Sequence, residues 1–354
     1  MVKILLDDTK VKQALYPFSA NRHSADIRIG ILTIREKWTY LNRFQVEMNS
    51  GSYFLEKIPI DSSTIKIFDA NLIPSLAWLN GLQFPVAKNK IVEDDTIRVL
   101  SYPWQIFQYN DWAIRKDFEM ITNGRLSQPI SPSNRVIGSE NVFIEEGAVV
   151  ENAILNASTG PIYIGKNAEI MEGCMVRGPF ALCEGAVLKM GTKVYGATTI
   201  GPYCVVAGEI KNSVLFDHSN KAHDGYLGDS VIGSWCNLGA GTSNSNLKNT
   251  AGQVKVWFNA ANEYVTVGDK CGLLMGDYSR SAINTSFNTG SVVGLCCHIF
   301  GDNFPPKIVS NFTWGKERYI FEKVLVDINN WKKLKGSKLT EQETGILELL
   351  YSQL

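Results

Sequence analysis

Apolar residues recur at every sixth position from Ile164 to Val206: Ile164, Ile170, Val176, Leu182, Leu188, Val194, Ile200 and Val206. A period of six fits neither the helical repeat of 3.6 nor a plain alternation. Being even, it returns each apolar residue to the same face of an extended chain, so the stretch reads as a coil of short strands. The fifth position of each block is mostly small, with Ala168, Cys174, Ala186, Thr192, Thr198 and Cys204, and with Phe180 and Ile210 as the larger exceptions. One large and one small inward residue per block fits a narrow, solid prism that the chain builds as it winds. Stacked units of this kind bury their apolar face only against their neighbours.

The beat begins earlier, at Ile137, Phe143, Val149 and Leu155, and three extra residues before Ile164 imply an insertion at a corner. It breaks between Glu209 and Gly225, resumes at Ile232 and Leu238, breaks again over Asn244 to Tyr264, and returns at Val267, Leu273 and Val293. At such breaks the chain can bulge outward without dismantling the core, and function is expected there. Pro305-Pro306 is read as the end of the coil, and Glu341 to Leu350 as an amphipathic helix capping the open end of the stack.

Before the coil, Val2 to Leu6, the run from Arg28 to Ile34 and Thr64 to Phe68 read as strands of a small α/β unit, with a helix near Glu36 to Leu41. Trp104 to Ile121 is spaced as a helix that Asn123-Gly124 ends. The expected layout is an α/β domain over 1–102, a helical connector over 103–132, an all-β coil domain over 133–304 and a C-terminal helical cap over 305–354.

Lysine plus arginine and aspartate plus glutamate balance at 35 each, which leaves no strong overall field for nucleic acid or an anionic membrane. The first residues hold an apolar run shorter than a signal peptide needs, and no stretch is long enough to span a bilayer; a cytoplasmic protein is expected. Of the seven cysteines, Cys174, Cys204, Cys236, Cys271 and Cys297 fall on the small inward position of a block. No Cys-x-x-Cys pair exists, so core packing is expected and no metal site.

The chemistry-bearing residues cluster at the first break. Glu209-Ile-Lys211 is followed by Asn220-Lys-Ala-His223-Asp-Gly-Tyr226-Leu-Gly-Asp229, then by Asn237-Leu-Gly-Ala240-Gly-Thr and Asn246. The blocks resemble the hexapeptide repeat of left-handed parallel β-helix proteins, many of them trimeric acyltransferases. The segment after them resembles the acetyltransferase half of the bacterial bifunctional enzymes that acetylate glucosamine 1-phosphate and couple the product to UTP. The resemblance implies His223 as the base, with Tyr226 and Asn237 as further catalytic groups. It implies Lys211, Lys221 and Asn246 as substrate ligands, and Ala240 and Asp277 as coenzyme A contacts, Asp277 standing where the family has serine. It also implies acetyl-CoA as co-substrate, a homotrimer, and a sugar phosphate as the small-molecule partner. Histidine suits the base role because its ordinary pKa of about 6.5 lies near working pH, and acetyl transfer needs a neutral amine. Lys189 or Lys193 would help Lys211 hold the phosphate as point charges. The spacing departs from the family's, with one residue instead of two between Lys221 and His223.

The N-terminal unit resembles a shortened, divergent sugar-nucleotidyltransferase domain of a Bacteroidetes-type branch, most distinctively over Arg28-Ile-Gly-Ile-Leu-Thr-Ile-Arg-Glu-Lys-Trp38. It has no glycine-rich phosphate loop. Arg22, Arg28 and Lys37 are the candidate nucleotide ligands, and Mg2+ is expected only if nucleotidyl transfer is retained. Two alternatives to acetyl transfer stay open: a sugar-1-phosphate nucleotidyltransferase, and a non-catalytic β-helix that binds or scaffolds.

Overall fold

A computed structural model describes residues 2–42, 44–50, 65–82 and 92–354; Thr64 lies outside them. Its larger part is a parallel β-helix. Ile164 pairs with Leu182 and Leu182 with Ile200, Ile170 with Leu188 and Leu188 with Val206, Val176 with Val194. Three blocks therefore make one turn, and like residues stack on like. All eight residues of the sixfold series are at most 3% exposed. Among the described residues the stacked strands form three sheets of nine, ten and six strands. The first runs from Val142–Ile144 to Ile308–Val309, the second from Val149–Val150 to Glu317–Arg318, and the third from Arg135–Ile137 to Tyr226–Gly228.

The first turn corrects the register read from sequence. Val136, Ile144 and Val150 point inward, because they pair with Leu155, Ile164 and Ile170. Their neighbours Ile137 and Val149 are about half exposed, and Phe143 lies on the outside, stacked on Tyr163 under Arg125. Each of these strands has two adjacent apolar residues, so pattern alone leaves the face open, and a slip of one residue turns every side chain over. The two breaks also differ from each other. Around Glu209 the chain does not bulge: Val206 is followed by Ile210 and Leu215, so the corners are shortened and the ladders continue unbroken. After Asn246 it does bulge, as an antiparallel hairpin of Val254–Phe258 and Glu263–Gly268, so Val267 belongs to this hairpin and not to the coil.

The coil also outlasts the proline pair, since Ile308–Val309 and Thr313–Trp314 extend its sheets. Two helices follow, Phe321–Leu334 and Glu341–Ser352, the first of them unforeseen. They do not close the end of the stack. They run back along one edge, packing Val324, Ile328 and Leu347 on Tyr278, Leu295, Cys296 and Phe312, and Lys335 reaches the Tyr203 carbonyl (2.7 Å) and Asn220 (2.9 Å) several turns earlier.

In the N-terminal part, Val2–Asp7 lies between Phe44–Asn49 and Ile65–Asp69 in a parallel sheet. The run after Arg28 is a buried turn and not a strand. Gly30 has φ +75°, and Asp117 lies so close that any side chain there would collide with it. The helix Ile34–Thr39 then starts on a capping box of Thr33 and Glu36. The expected connector helix is present as Gln105–Gln108 and Asn110–Thr122. This whole unit covers the outside of the first sheet, with Ala181, Cys183, Val214, Phe216, Val231, Leu274 and Val292 sharing its core. Cys271 belongs to that shared core rather than to the inside of the coil.

Candidate functional site

The ends of the strand Tyr226–Gly228 carry two separate groups of candidate residues. His223 is exposed at the corner where the second sheet passes to the third, in an open groove of about 350 Å³ lined by Met171, Lys189, Met190, Ala207, Ala222, His223 and Asp224. Ala240 lies on the same corner one turn further along, since the Gly241 amide bonds to the Asp224 carbonyl (3.0 Å). Asn237 enters that corner from the outer face of the second sheet, between Asn220 and Arg280.

Tyr226 points away from His223. Its ring folds back over Gly228, where any added side chain would meet the hydroxyl, and that hydroxyl accepts from Asn246 Nδ2 at 3.1 Å. Burial, with Asp229 and Glu209 nearby, pushes the phenol up to about 12, so it stays protonated and keeps its hydrogen to donate. Lys211 is the register partner of Gly228, which puts it beside that hydroxyl on the outer face of the third sheet. Asp229, nearly buried, ties the group together by accepting from Asn246 and from Asn212 (2.6 Å). The same face continues through Tyr195 and Arg177, register neighbours of Lys211. Lys193, Arg177, Tyr195, Met175, Ile154 and Asn156 line a groove of about 240 Å³ there. Arg177 and Asp229 had not been singled out from sequence. Writing the chain in turns would have shown Arg177 aligned under Tyr195 and Lys211.

Lys221 and Asp277 do not stand where a ligand could reach them. Lys221 is 1% exposed and occupies an inward slot of the coil, so it is not a surface ligand of the substrate. Asp277, 2% exposed, accepts from Arg22, from Asn21 Nδ2 (2.9 Å) and from the Ser234 amide (2.9 Å). It locks the N-terminal unit onto the coil, on a different edge from Ala240, and is not a coenzyme contact. Asn244 is also structural: its amide bonds both the N–H and the C=O of Gly228, at 2.9 and 3.0 Å.

The three candidate nucleotide ligands are each engaged within the protein. Arg22 is held by Asp277 and Ser234, Arg28 turns onto the Ile31 carbonyl, and Lys37 is sealed against Asp117 with both side chains 1% exposed. Among the described residues no group of three or more His, Cys, Asp or Glu side chains gathers to hold a metal. Asp7 and Asp69 are register partners at the carboxyl ends of adjacent strands, a pair that would hold Mg2+ only with phosphate oxygens completing its shell. No helix among the described residues is long and apolar enough to cross a membrane.

Residues 3–85 match the sequence model of a family described as sugar nucleotidyl transferase. The chain is 31% identical over 224 residues to the bifunctional protein GlmU of Methanocaldococcus jannaschii, covering 63% of this chain and 48% of that protein. A match of 224 residues in a chain of 354 necessarily takes in part of the coil. The chain resembles a sugar nucleotidyl transferase over residues 3–85 and a GlmU-type bifunctional protein over about two thirds of its length. It is also 29% identical over 247 residues to a bifunctional sugar-1-phosphate nucleotidylyltransferase/acetyltransferase of Sulfurisphaera tokodaii, with 64% and 52% covered. To the bifunctional protein GlmU of Bartonella quintana it is 26% identical over 205 residues, with 54% and 41% covered. The chain thus spans about half the length of the curated relatives it matches.

Proposed function

We propose that this chain is an acetyl-CoA-dependent N-acetyltransferase acting on a sugar phosphate of the glucosamine 1-phosphate type, in the making of a nucleotide sugar. The observation that carries this reading is His223, exposed on a corner of a rigid stack, in a groove that also holds Lys189 and adjoins the Ala240 corner. In direct transfer the sugar amine attacks the thioester carbonyl while His223 takes its proton, and the thiolate leaves as the tetrahedral intermediate collapses. Lys211, Lys193 and Arg177 supply positive charge for the phosphate, and the Tyr226 hydroxyl and Asn246 supply hydrogen bonds to the sugar. The Tyr226 hydroxyl, over Gly228, and His223, before Tyr226, lie toward opposite ends of one short strand, so a single sugar phosphate would have to span that strand. The third sheet leaves Ile137, Ile154, Met175 and Tyr195 half exposed, an apolar face suited to the neighbouring subunit of a homotrimer.

Thiol release from acetyl-CoA with glucosamine 1-phosphate tests the reading. His223→Ala is expected to lower the rate about 100-fold or more. Near-normal activity in that variant overturns the assignment, and no response to acetyl-CoA in any assay favours the scaffold. A second reading, nucleotidyl transfer by the N-terminal unit, is favoured by the family match over residues 3–85. With Arg22 and Lys37 engaged by Asp277 and Asp117 and Arg28 by the Ile31 carbonyl, it would have to hold the triphosphate with other groups. Formation of UDP-sugar from UTP and N-acetylglucosamine 1-phosphate, dependent on Mg2+, would support it.

A further inference from the structure

Along the inner face of the second sheet the stacked residues are Val150, Ile170, Leu188, Val206, Lys221, Leu238, Ser281 and Ile299. Seven are apolar or small and one is a cation. Lys221 is among the largest fully buried side chains of the protein, in a slot that Val206 and Leu238 show to be shaped for an aliphatic residue. A buried ammonium is costly unless its protons are bonded. Its amino group makes two bonds, both to backbone carbonyls at one corner: to His223 at 2.8 Å and to Ala207, one turn earlier, at 3.3 Å. Burial pushes the amine down to about 8, with only Asp224 opposing it. A leucine would pack this slot at no such cost, so the position serves something other than stability.

We propose that Lys221 is a positioning residue for His223. Bonding the His223 carbonyl turns that peptide toward the core, and the imidazole on the same residue is thereby held out over the groove. Bonding Ala207 as well pins the corner to the preceding turn, which itself lies on Lys189 through the bond from the Lys189 amide to the Val206 carbonyl (2.9 Å). This stretch needs such a pin because its corners are shortened and the regular block is lost between Val206 and Lys221. The inference rests on the reading of His223 as base. It adds that the base is aimed by a charge from inside the coil, with no contact between Lys221 and substrate.

The test is a double-mutant cycle in acetyl transfer from acetyl-CoA to glucosamine 1-phosphate. Lys221→Met, which fills the slot without donors, is expected to fold with an unfolding midpoint equal to or above the parent's. Its kcat should fall about 10- to 100-fold with KM changed less than about threefold. Combining it with His223→Ala should lower the rate no further than His223→Ala alone, because residues that act through one another are not additive. Hydrogen exchange at the amides of 222–225 should quicken in Lys221→Met, a readout independent of activity; Lys221→Leu serves the same purpose if the methionine variant is poorly folded. Undiminished kcat in Lys221→Met beside an inactive His223→Ala overturns the positioning role and leaves the base assignment intact. So does a double variant slower than either single one by the product of their effects. Near-normal activity of His223→Ala instead overturns the base, and exchange at 222–225 then decides whether Lys221 still orders the corner.

Discussion

Asp117 holds together the junction between the N-terminal turn and the connector helix, and removing it should be among the most damaging single changes in the chain. Its carboxylate pairs with Lys37, each 1% exposed, and accepts from the backbone amides of Ile31 (2.8 Å) and Leu32 (3.0 Å). Burial raises the carboxyl pKa and lowers that of the amine, each opposed by the partner's charge, so neither group is comfortable alone. Asp117→Ala leaves a buried ammonium, which costs about 3–5 kcal/mol. It also strands two buried N–H groups, at about 1–3 kcal/mol each before water enters. A total of at least about 5 kcal/mol is expected, against about 5–15 kcal/mol for the whole of a typical domain. Asp117→Asn should cost about 3 kcal/mol, since an amide oxygen still serves the backbone donors. The double variant Lys37→Met, Asp117→Asn should cost less than the sum of its parts by about 2 kcal/mol, because no charge is then left unpaired. Urea unfolding followed by tryptophan fluorescence reads this directly, since Trp38 is buried on the same helix as Lys37. If Asp117→Ala lies within about 1 kcal/mol of the parent, the pair is not what seals this junction. Lys37 would then be free to serve as the phosphate ligand that its sequence position suggested.

Three further outcomes follow from the core and its edge. Burial pushes the thiols of Cys183 and Cys297 up to about 11 and that of Cys236 up to about 12, so the native protein should react slowly with a thiol reagent at pH 8. All seven cysteines should react after denaturation. Leu188→Ala opens a cavity between Ile170 and Val206 and should cost about 2–5 kcal/mol, measured by chemical denaturation, while Met190→Ala on the exposed corner should cost less than about 0.5 kcal/mol. His298 is pushed down to about 4, first by burial and then by Arg280 beside it. The unfolded chain therefore takes up a proton near pH 6.5 that the native one refuses, and stability should fall as pH drops from about 6.5 to 4. In His298→Phe that slope should be shallower; an unchanged slope would show that His298 is not the group responsible.

How far the sequence could be read depended on whether a residue's neighbours in space were also fixed in sequence. Ile164 to Val206 was legible to the residue because each contact is made 18 positions away, turn after turn, so the period alone states the packing. The register of Ile137, Phe143 and Val149 was not legible, since adjacent apolar residues satisfy both faces and only pairing with the next turn decides. Residues 28–34 read as a strand because Ile29, Ile31 and Ile34 make them a short apolar run. They are buried as the expectation required, but Asp117, far along the chain, bends them into a turn. Lys221, Asp277, Arg22 and Lys37 look like ligands in the sequence because nothing local marks a charge as internal. Their partners, a carbonyl at His223 and opposite charges more than 70 residues away, appear only in three dimensions. Tyr226, Lys211 and Asn246 were grouped by a motif and are grouped in space. The separation of His223 from them was hidden by their closeness in sequence.

One edge of the prism is a single column of left-handed residues: Gly147, Asn167, Gly185, Tyr203, His218, Trp235, Tyr278, Cys296 and Phe312, and from Asn167 onward each is bonded through its amide to the turn before. Glycine and asparagine take that conformation at little cost, and the early turns use them. From Tyr203 onward the column becomes aromatic or apolar, where the C-terminal helices and Lys335 lie along it. His218 is sandwiched there between Tyr203 and Trp235. The later turns thus accept backbone strain at each corner in exchange for a surface to which helices adhere. The column works as a tailor's seam, plain where the edge is bare and heavily stitched where a lining is attached. The identity of one residue per turn therefore tells how far along the prism its lining extends.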